Sequence, residues 1–229
     1  MAVSRITILA VTKMHDGICL AGVDRARAWV RPVRIPGYNF SKDALLERGK
    51  VVVEPYNEVE FHVLSRLNNS PQSEDHQIDA AYEPHLVCNL NDNQLTTLMT
   101  ELDEHDSVEH QRSRDGLMNW LTGVNRSLVL TRIDRVLSAY RGSTDYGRRP
   151  RRLSFRVGNS HFDMSCTDLR WRSITRGDRD VEALTALNSA RVIYFALGLT
   201  RLFQGRYWPM VVGVHPIPRL AGEVDYDRL

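Results

Sequence analysis

The sequence predicts a β-rich α+β fold in which two small barrels pack together around a helical middle segment. Three observations carry that expectation. Short β-branched runs cluster toward both ends of the 229 residues and are bounded by turn residues. Helical spacing is concentrated in the middle, so strands and helices do not alternate as a doubly wound sheet requires. Apolar residues make up 42% of the chain and charged residues 25%, an ordinary globular balance that supports a core of normal size.

The elements follow in order. Residues 5–12 read as a buried strand through Ile6, Ile8, Leu9 and Val11. His15-Asp16-Gly17 supplies turn chemistry, and residues 18–23 return as the second arm of a hairpin. Trp29-Val30-Arg31-Pro32-Val33 is a short third strand, which Pro32 places at an edge or strand end. Residues 41–49 predict a short helix between a Ser41 cap and Gly49. Residues 51–53 and 59–64 are strands, and 68–80, polar and containing Pro71, predict a loop. Leu95, Leu98, Met99 and Leu102 stand at helical spacing behind an Asn91 or Asp92 cap, and 114–121 is a second helical piece. Strands are expected again at 127–140, 153–157 and 161–169, with Gly158-Asn159 as a hairpin turn. Residues 180–190 predict a helix, and 192–199 either extend it or, as Gly198 favours, form a strand before a last one at 208–214. The resulting division is a first barrel at 1–67, a loop and acidic helical segment at 68–125, a second barrel at 126–218 and a frayed tail at 219–229.

Composition narrows the setting. No run of about 18 apolar residues exists to cross a membrane. Ser4, Arg5 and Thr7 interrupt the apolar start, so no signal peptide is expected and the protein is read as cytoplasmic. Cys19, Cys88 and Cys166 are odd in number and widely spaced, which argues against a disulfide framework. His85 with Cys88, His105 with His110, and His161 with Cys166 have ligand-like spacing, but none has a supporting second pair, so no metal or other cofactor is expected. Neither a G-x-S-x-G elbow nor a G-x-x-x-x-G-K phosphate loop occurs.

Charge is unevenly spread. Residues 54–115 hold 14 acidic residues against three arginines, whereas 141–179 hold 10 arginines against four aspartates. Such polarity gives one phosphate-attracting region and one phosphate-repelling region. Trp29 with Arg31 and Arg34, and Trp171 between Arg170 and Arg172, combine an indole with guanidinium groups, the pairing that holds stacked bases over a cationic groove. Arg148, Arg149, Arg151 and Arg152 form a basic loop, and Arg201 is a candidate anion clamp. Core packing and solvated arginines are the competing explanation for both tryptophans.

Several segments then resemble a known family. ILAVTKMHDGICLAGVD followed by WVRPV, CTDLRW at 166–171, and YFALGLTRLF followed by WPMVVGVHPIP are similar to segments of the dual OB-fold family of prokaryotic proteins. The resemblance touches both ends and skips 68–125. It implies two fused OB barrels, nucleic-acid or nucleotide recognition, DNA or RNA as partner, and a DNA-modification or phage-defence setting with other cassette proteins nearby. Within that setting a narrower likeness is to the protein that hydrates the nitrile of 7-cyano-7-deazaguanine in DNA to the amide. That likeness rests on the setting, with no residue-by-residue motif behind it.

The catalytic alternative has a concrete form. If 161–169 were all strand, Cys166, Asp168 and Arg170 would share one face. A thiolate could then attack a nitrile carbon, with Asp168 as acid and base in hydrolysis of the thioimidate. Burial of the cysteine is the competing reading. A third expectation is a scaffold that docks a protein through the acidic middle.

Overall fold

The computed structural model describes residues 2–14, 17–35, 37–143, 150–177, 179–222, 224 and 226. Five strands build the first barrel: β1 (Ala2–Met14), β2 (Gly17–Val23), β3 (Trp29–Val33), then, after the intervening β4 (Leu46–Glu47) and β5 (Lys50–Val51), β6 (Asn57–Arg66) and β7 (Asp75–Ile78). Their order is β1-β2-β3-β7-β6, and β6 returns to β1, which closes the ring. One stretch of β1 pairs with β6 and the rest with β2, while β3 and β7 run parallel with Arg31 opposite Asp75. The strand β8 (His85–Asn89) adds to the outer edge of β6.

The chain next crosses the surface as three helices, α1 (Asp92–Leu102), α2 (His105–His110) and α3 (Arg114–Gly123). A capping box starts α1: the Asn91 side chain accepts from the Gln94 N–H at 2.9 Å, and the Gln94 side chain accepts from the Asn91 N–H at 2.9 Å. Its Leu95, Leu98, Met99 and Leu102 are all buried, as their spacing predicts.

The second sheet repeats the first in strand order. Its members are β9 (Leu128–Ile133), β10 (Arg135–Arg141), β11 (Arg151–Val157), β12 (Ser160–Cys166), β13 (Val192–Leu199) and β14 (Pro209–Ile217). The order is β10-β11-β12-β14-β13-β9. Only Asp134 separates β9 from β10, so the two edges of this sheet are one bent run of chain. As in the first barrel, the third and fifth strands, β12 and β14, run parallel. The segment between β12 and β13 carries α4 (Leu169–Ile174) and α5 (Asp180–Asn188). In the first barrel the same position holds only a 3-10 turn at Lys42–Leu45 and the β4–β5 hairpin, where a helix over 41–49 is expected from sequence.

Three apolar clusters result. One fills the first barrel (Ile6, Ile8, Ile18, Leu20, Phe61) and takes in Val224 and Tyr226. The tail is therefore not uniformly frayed: the Tyr226 hydroxyl donates to the Val53 carbonyl at 2.6 Å. A second fills the other barrel, around Phe155, Phe162, Phe195 and Trp171. The third lies between the barrels, where Leu9, Ala10 and Ala21 meet Leu128, Ala196 and Val212 beside α1. Here β1 and β14 come so close that a Cβ on Gly213 would stand 2.5 Å from the Leu9 carbonyl oxygen, which only glycine tolerates.

A buried ionic joint completes the union. Glu74, 4% exposed, accepts from the Ser127 N–H at 2.7 Å, the Ser127 hydroxyl at 3.0 Å and the Leu128 N–H at 3.2 Å. Arg31 donates to the Ser127 hydroxyl and stands 3.5 Å from Asp75. The other oxygen of Asp75 receives Arg201 of the second barrel at 2.7 Å. Truncating Glu74 leaves the buried Ser127 and Leu128 N–H groups without their acceptor and removes one of the two carboxylates facing buried Arg31. Glu74→Ala should therefore lower unfolding free energy in denaturant titration by about 3–5 kcal/mol; a loss below about 1 kcal/mol would show the joint to be idle.

Also between the barrels, His215 of β14 is 1% exposed, with its Nδ1 3.2 Å from the Tyr56 hydroxyl. Burial, aided by the nearby Arg170 charge, pulls its pKa down to about 3. The folded state thus holds a neutral imidazole, while the unfolded chain takes up a proton below about pH 6.5. The contribution is full above that pH and lost as pH falls toward 3. Relative to wild type, His215→Asn should gain stability on acidification, by up to about 1.4 kcal/mol per pH unit between pH 6 and 4, as read by denaturant midpoints.

Candidate functional site

Between the barrels lies a cavity of about 350 Å3. Its first-barrel wall is Ala10, Thr12 and Lys13 of β1, Cys19, Leu20 and Ala21 of β2, and Arg31 of β3. The second barrel contributes Leu128, Thr167, Gly198, Leu199, Met210 and Val212, and the loop leaving β13 contributes Thr200 to Phe203. Most of the lining is thus aliphatic, Thr12, Thr167 and Thr200 add polar residues to it, and cationic groups come from Lys13, Arg31 and Arg201. A hollow of about 360 Å3 at Arg25–Glu58 and a larger one of about 480 Å3 at His110–His161 are more polar in their lining.

The cationic groups differ in availability. Arg31 has a side chain only 11% exposed and faces Glu74 and Asp75. Arg201 is 29% exposed, pairs with Asp75, and lies with its guanidinium carbon 4.2 Å over the Tyr38 ring. Lys13 is half-buried with no ion pair among the described residues. Three cationic and two anionic groups leave the site weakly positive. Cys19 also faces the cavity, and burial pushes its thiol pKa up.

The loop from Thr200 to Trp208 forms the cavity mouth. Phe203 and Arg206 exchange two backbone hydrogen bonds at 3.0 and 3.2 Å, and both intervening residues, Gln204 and Gly205, have positive φ of 52° and 75°. That is the tight turn of a hairpin, which Gly205 makes easy. The Trp208 backbone N–H donates to the Thr200 hydroxyl at 2.9 Å. Arg206 stacks at 4.2 Å on Trp208 and pairs with Asp115 at 2.7 Å. The loop is braced, yet its Leu202 and Phe203 are 63% and 57% exposed.

Most residues singled out from sequence lie elsewhere. Cys166 ends β12 inside the second barrel at 3% exposure, and burial with the nearby Asp168 charge raises its pKa well above the ordinary thiol value. The expected strand over 161–169 stops at Cys166. Asp168 instead caps α4, accepting from the Trp171 N–H and the Val214 N–H, each at 2.8 Å. Its burial lifts its pKa to about 6 against these bonds. Cys166, Asp168 and Arg170 therefore do not line one strand face. Arg170 turns to the Leu220 and Gly222 carbonyls and lies 5.4 Å over Tyr56.

Trp171 is 1% exposed in the second barrel's core, and Trp29 is half-buried against the inter-barrel cluster. Arg151 pairs with Asp180 at 2.6 Å and Arg152 with Asp163 at 2.7 Å, so neither guanidinium is held in reserve for a ligand. Arg34 reaches the Ala80 carbonyl at 3.5 Å, and Arg172 is exposed. Arg148 and Arg149 lie outside the described residues, as do His15 and Asp16. Among the described residues the arginines and indoles do not converge into one furrow: of the expected contacts described, the cavity gathers Arg31 and Arg201. Lys13, Leu202 and Phe203 were not singled out from sequence. The signal for the last two was available in LFQGRYW, an apolar pair ahead of a Gln-Gly turn.

Among the described residues, His105, Asp106 and Glu109 form a group close enough to share a cation. His105 already meets Asp106 at 3.2 Å and Asp134 at 3.0 Å through its two ring nitrogens, which explains the group without one. No described helix is long and apolar enough to cross a membrane.

A family model described as a dual OB-containing domain matches residues 4–214. No curated protein and no solved structure matches.

The three cysteines give a direct check on burial. In native protein a thiol reagent should label the exposed Cys88 first and Cys19 more slowly. Cys166 should react only with unfolding; its prompt labelling would place it on an accessible surface.

Proposed function

We propose, from the premise that this chain belongs to the family of dual OB-containing domains, that it binds nucleic acid in the cleft between its two barrels. The observation that carries this reading is the cavity itself: an aliphatic floor of base-contacting character with Lys13 and Arg201 at its rim. Pockets for small ligands span about 300–1,000 Å3, so this one suits a single nucleotide. The outer face of strands two and three, which OB barrels use for oligonucleotides, is here the first-barrel wall through β2 and β3.

Charge supports phosphate binding of limited strength. Arg31 is committed to Glu74 and Asp75, which leaves Lys13 and part of Arg201 to meet phosphate. Hydration of a nitrile by Cys166 finds no support in this geometry, because the thiol is sealed in the core and its partner carboxylate caps a helix. Service in a bacterial DNA-modification or phage-defence system, beside other proteins of such a cassette, is retained on the family resemblance alone.

Two phosphate contacts give a salt slope of about −1.4 for a single strand. Binding of a labelled oligothymidine, followed by fluorescence anisotropy, should therefore weaken about sevenfold between 50 and 200 mM salt. Lys13→Ala should make the slope shallower by about 0.7. Salt-independent affinity, or a slope indifferent to Lys13, would remove the cleft from the reading.

A further inference from the structure

Apart from the floor of the cavity, the unusual feature of the mouth is its hydrophobic tip. Two large apolar side chains, Leu202 and Phe203, stand side by side in water at 63% and 57% exposure. Hydrogen bonds brace the loop behind them. The turn is closed by the Phe203–Arg206 backbone pair, Trp208 donates from its indole to the Phe203 carbonyl at 3.3 Å, and the Tyr207 hydroxyl reaches the Ser70 carbonyl at 3.3 Å across the joint. A rigid loop that holds an aromatic ring out beside a cavity is pre-organised for a flat, apolar partner.

Resting on the proposed nucleic-acid function, we infer that Leu202 and Phe203 form a wedge that takes the stacking place of one nucleobase while that base enters the inter-barrel cavity. Charge and size both favour this occupant. A run of stacked single strand needs a cationic track several nucleotides long, whereas the described cleft offers Lys13 and Arg201 on either side of one enclosed volume. An extruded base leaves a gap in its stack, and an inserted apolar side chain fills it, as it does where proteins kink duplexes through the minor groove. Thr12, Thr167 and Thr200 are the polar residues of the lining nearest in character to the edge of such a base, with hydroxyls that also bond the Cys19 and Val211 carbonyls and the Trp208 N–H. Extrusion from an intact duplex costs a few kcal/mol and is least for a base that has lost its partner. The site therefore selects an unpaired base within a duplex over the fully paired duplex.

The experiment uses the full chain and a duplex carrying 2-aminopurine opposite an abasic site, with the fully paired duplex as reference. Wild type should bind the first at least about tenfold more tightly, and 2-aminopurine fluorescence should rise as the base leaves its neighbours for an aliphatic pocket. Phe203→Ala, an exposed change that leaves the fold intact, should weaken binding to the abasic probe by about fivefold to a hundredfold and abolish the fluorescence rise. It should leave the salt slope on oligothymidine unchanged, because that slope counts phosphates. If Phe203→Ala keeps both the selectivity and the fluorescence rise, the wedge is overturned and the cleft's phosphate binding stands. If wild type shows no salt-dependent binding to either duplex or to oligothymidine, the wedge and the proposed function fall together.

Discussion

The Glu74 carboxylate is the constraint on which the architecture turns. It sits on the first barrel just before β7, yet its hydrogen bonds go to the backbone of Ser127 and Leu128, where the second barrel begins. A buried carboxylate without partners would cost several kcal/mol. Here that cost is offset only when the second barrel docks in one position. Asp75, 0% exposed, adds the same condition through Arg201. The ion pairs thus act as a registry device: the apolar layer of Leu9, Ala21, Leu128 and Val212 supplies non-directional attraction, and the carboxylates choose the geometry.

What could be read from sequence follows the same division. Strands whose pleat is buried announce themselves through Ile6, Ile8, Val11 and Ile18, and α1 through its four leucine and methionine positions. The strand β7 is invisible because its residues, Asp-His-Gln-Ile, are chosen for the joint and for a parallel pairing with β3, not for an apolar face. It was hidden inside the stretch expected to be a loop. The start of α4 was hidden for another reason. Cys-Thr-Asp-Leu-Arg-Trp alternates like a strand, while Asp168 is a helix cap whose second bond, to Val214, comes from a distant strand. A cap with a tertiary partner cannot be told from an alternating polar residue in one dimension.

The arginines teach a related lesson about charge. Arg151, Arg152 and Arg170 sit in the basic half of the sequence, and each finds a carboxylate or a carbonyl in space. Linear clustering counts charges but not their partners. The acidic middle and the basic second half partly neutralise one another, as in Arg206 with Asp115 and Arg126 with Glu104. Among the described residues, what the cavity itself leaves for a ligand is small: part of Arg201 and Lys13, a residue in no basic run at all.

That small remainder bears on the kind of recognition the protein can perform. With the two phosphate contacts of the proposed function, electrostatics would not supply tight binding at cellular salt, so affinity would have to come from burying apolar surface. A rigid, exposed Phe203 and an aliphatic cavity are sources of that kind, at about 1–3 kcal/mol for each stacked base. Such energy is gained only where a base is free of its own stack. Under the proposed function, a weakly cationic rim combined with an apolar pocket would disfavour ordinary duplex twice over: few phosphates would be held, and the base would not be available. The same two barrels with a strongly cationic cleft would bind any strand. In the proposed function, the neutralisation of Arg31 by Glu74 and Asp75 is what separates a cleft that would read the state of a single base from one that would hold any phosphate.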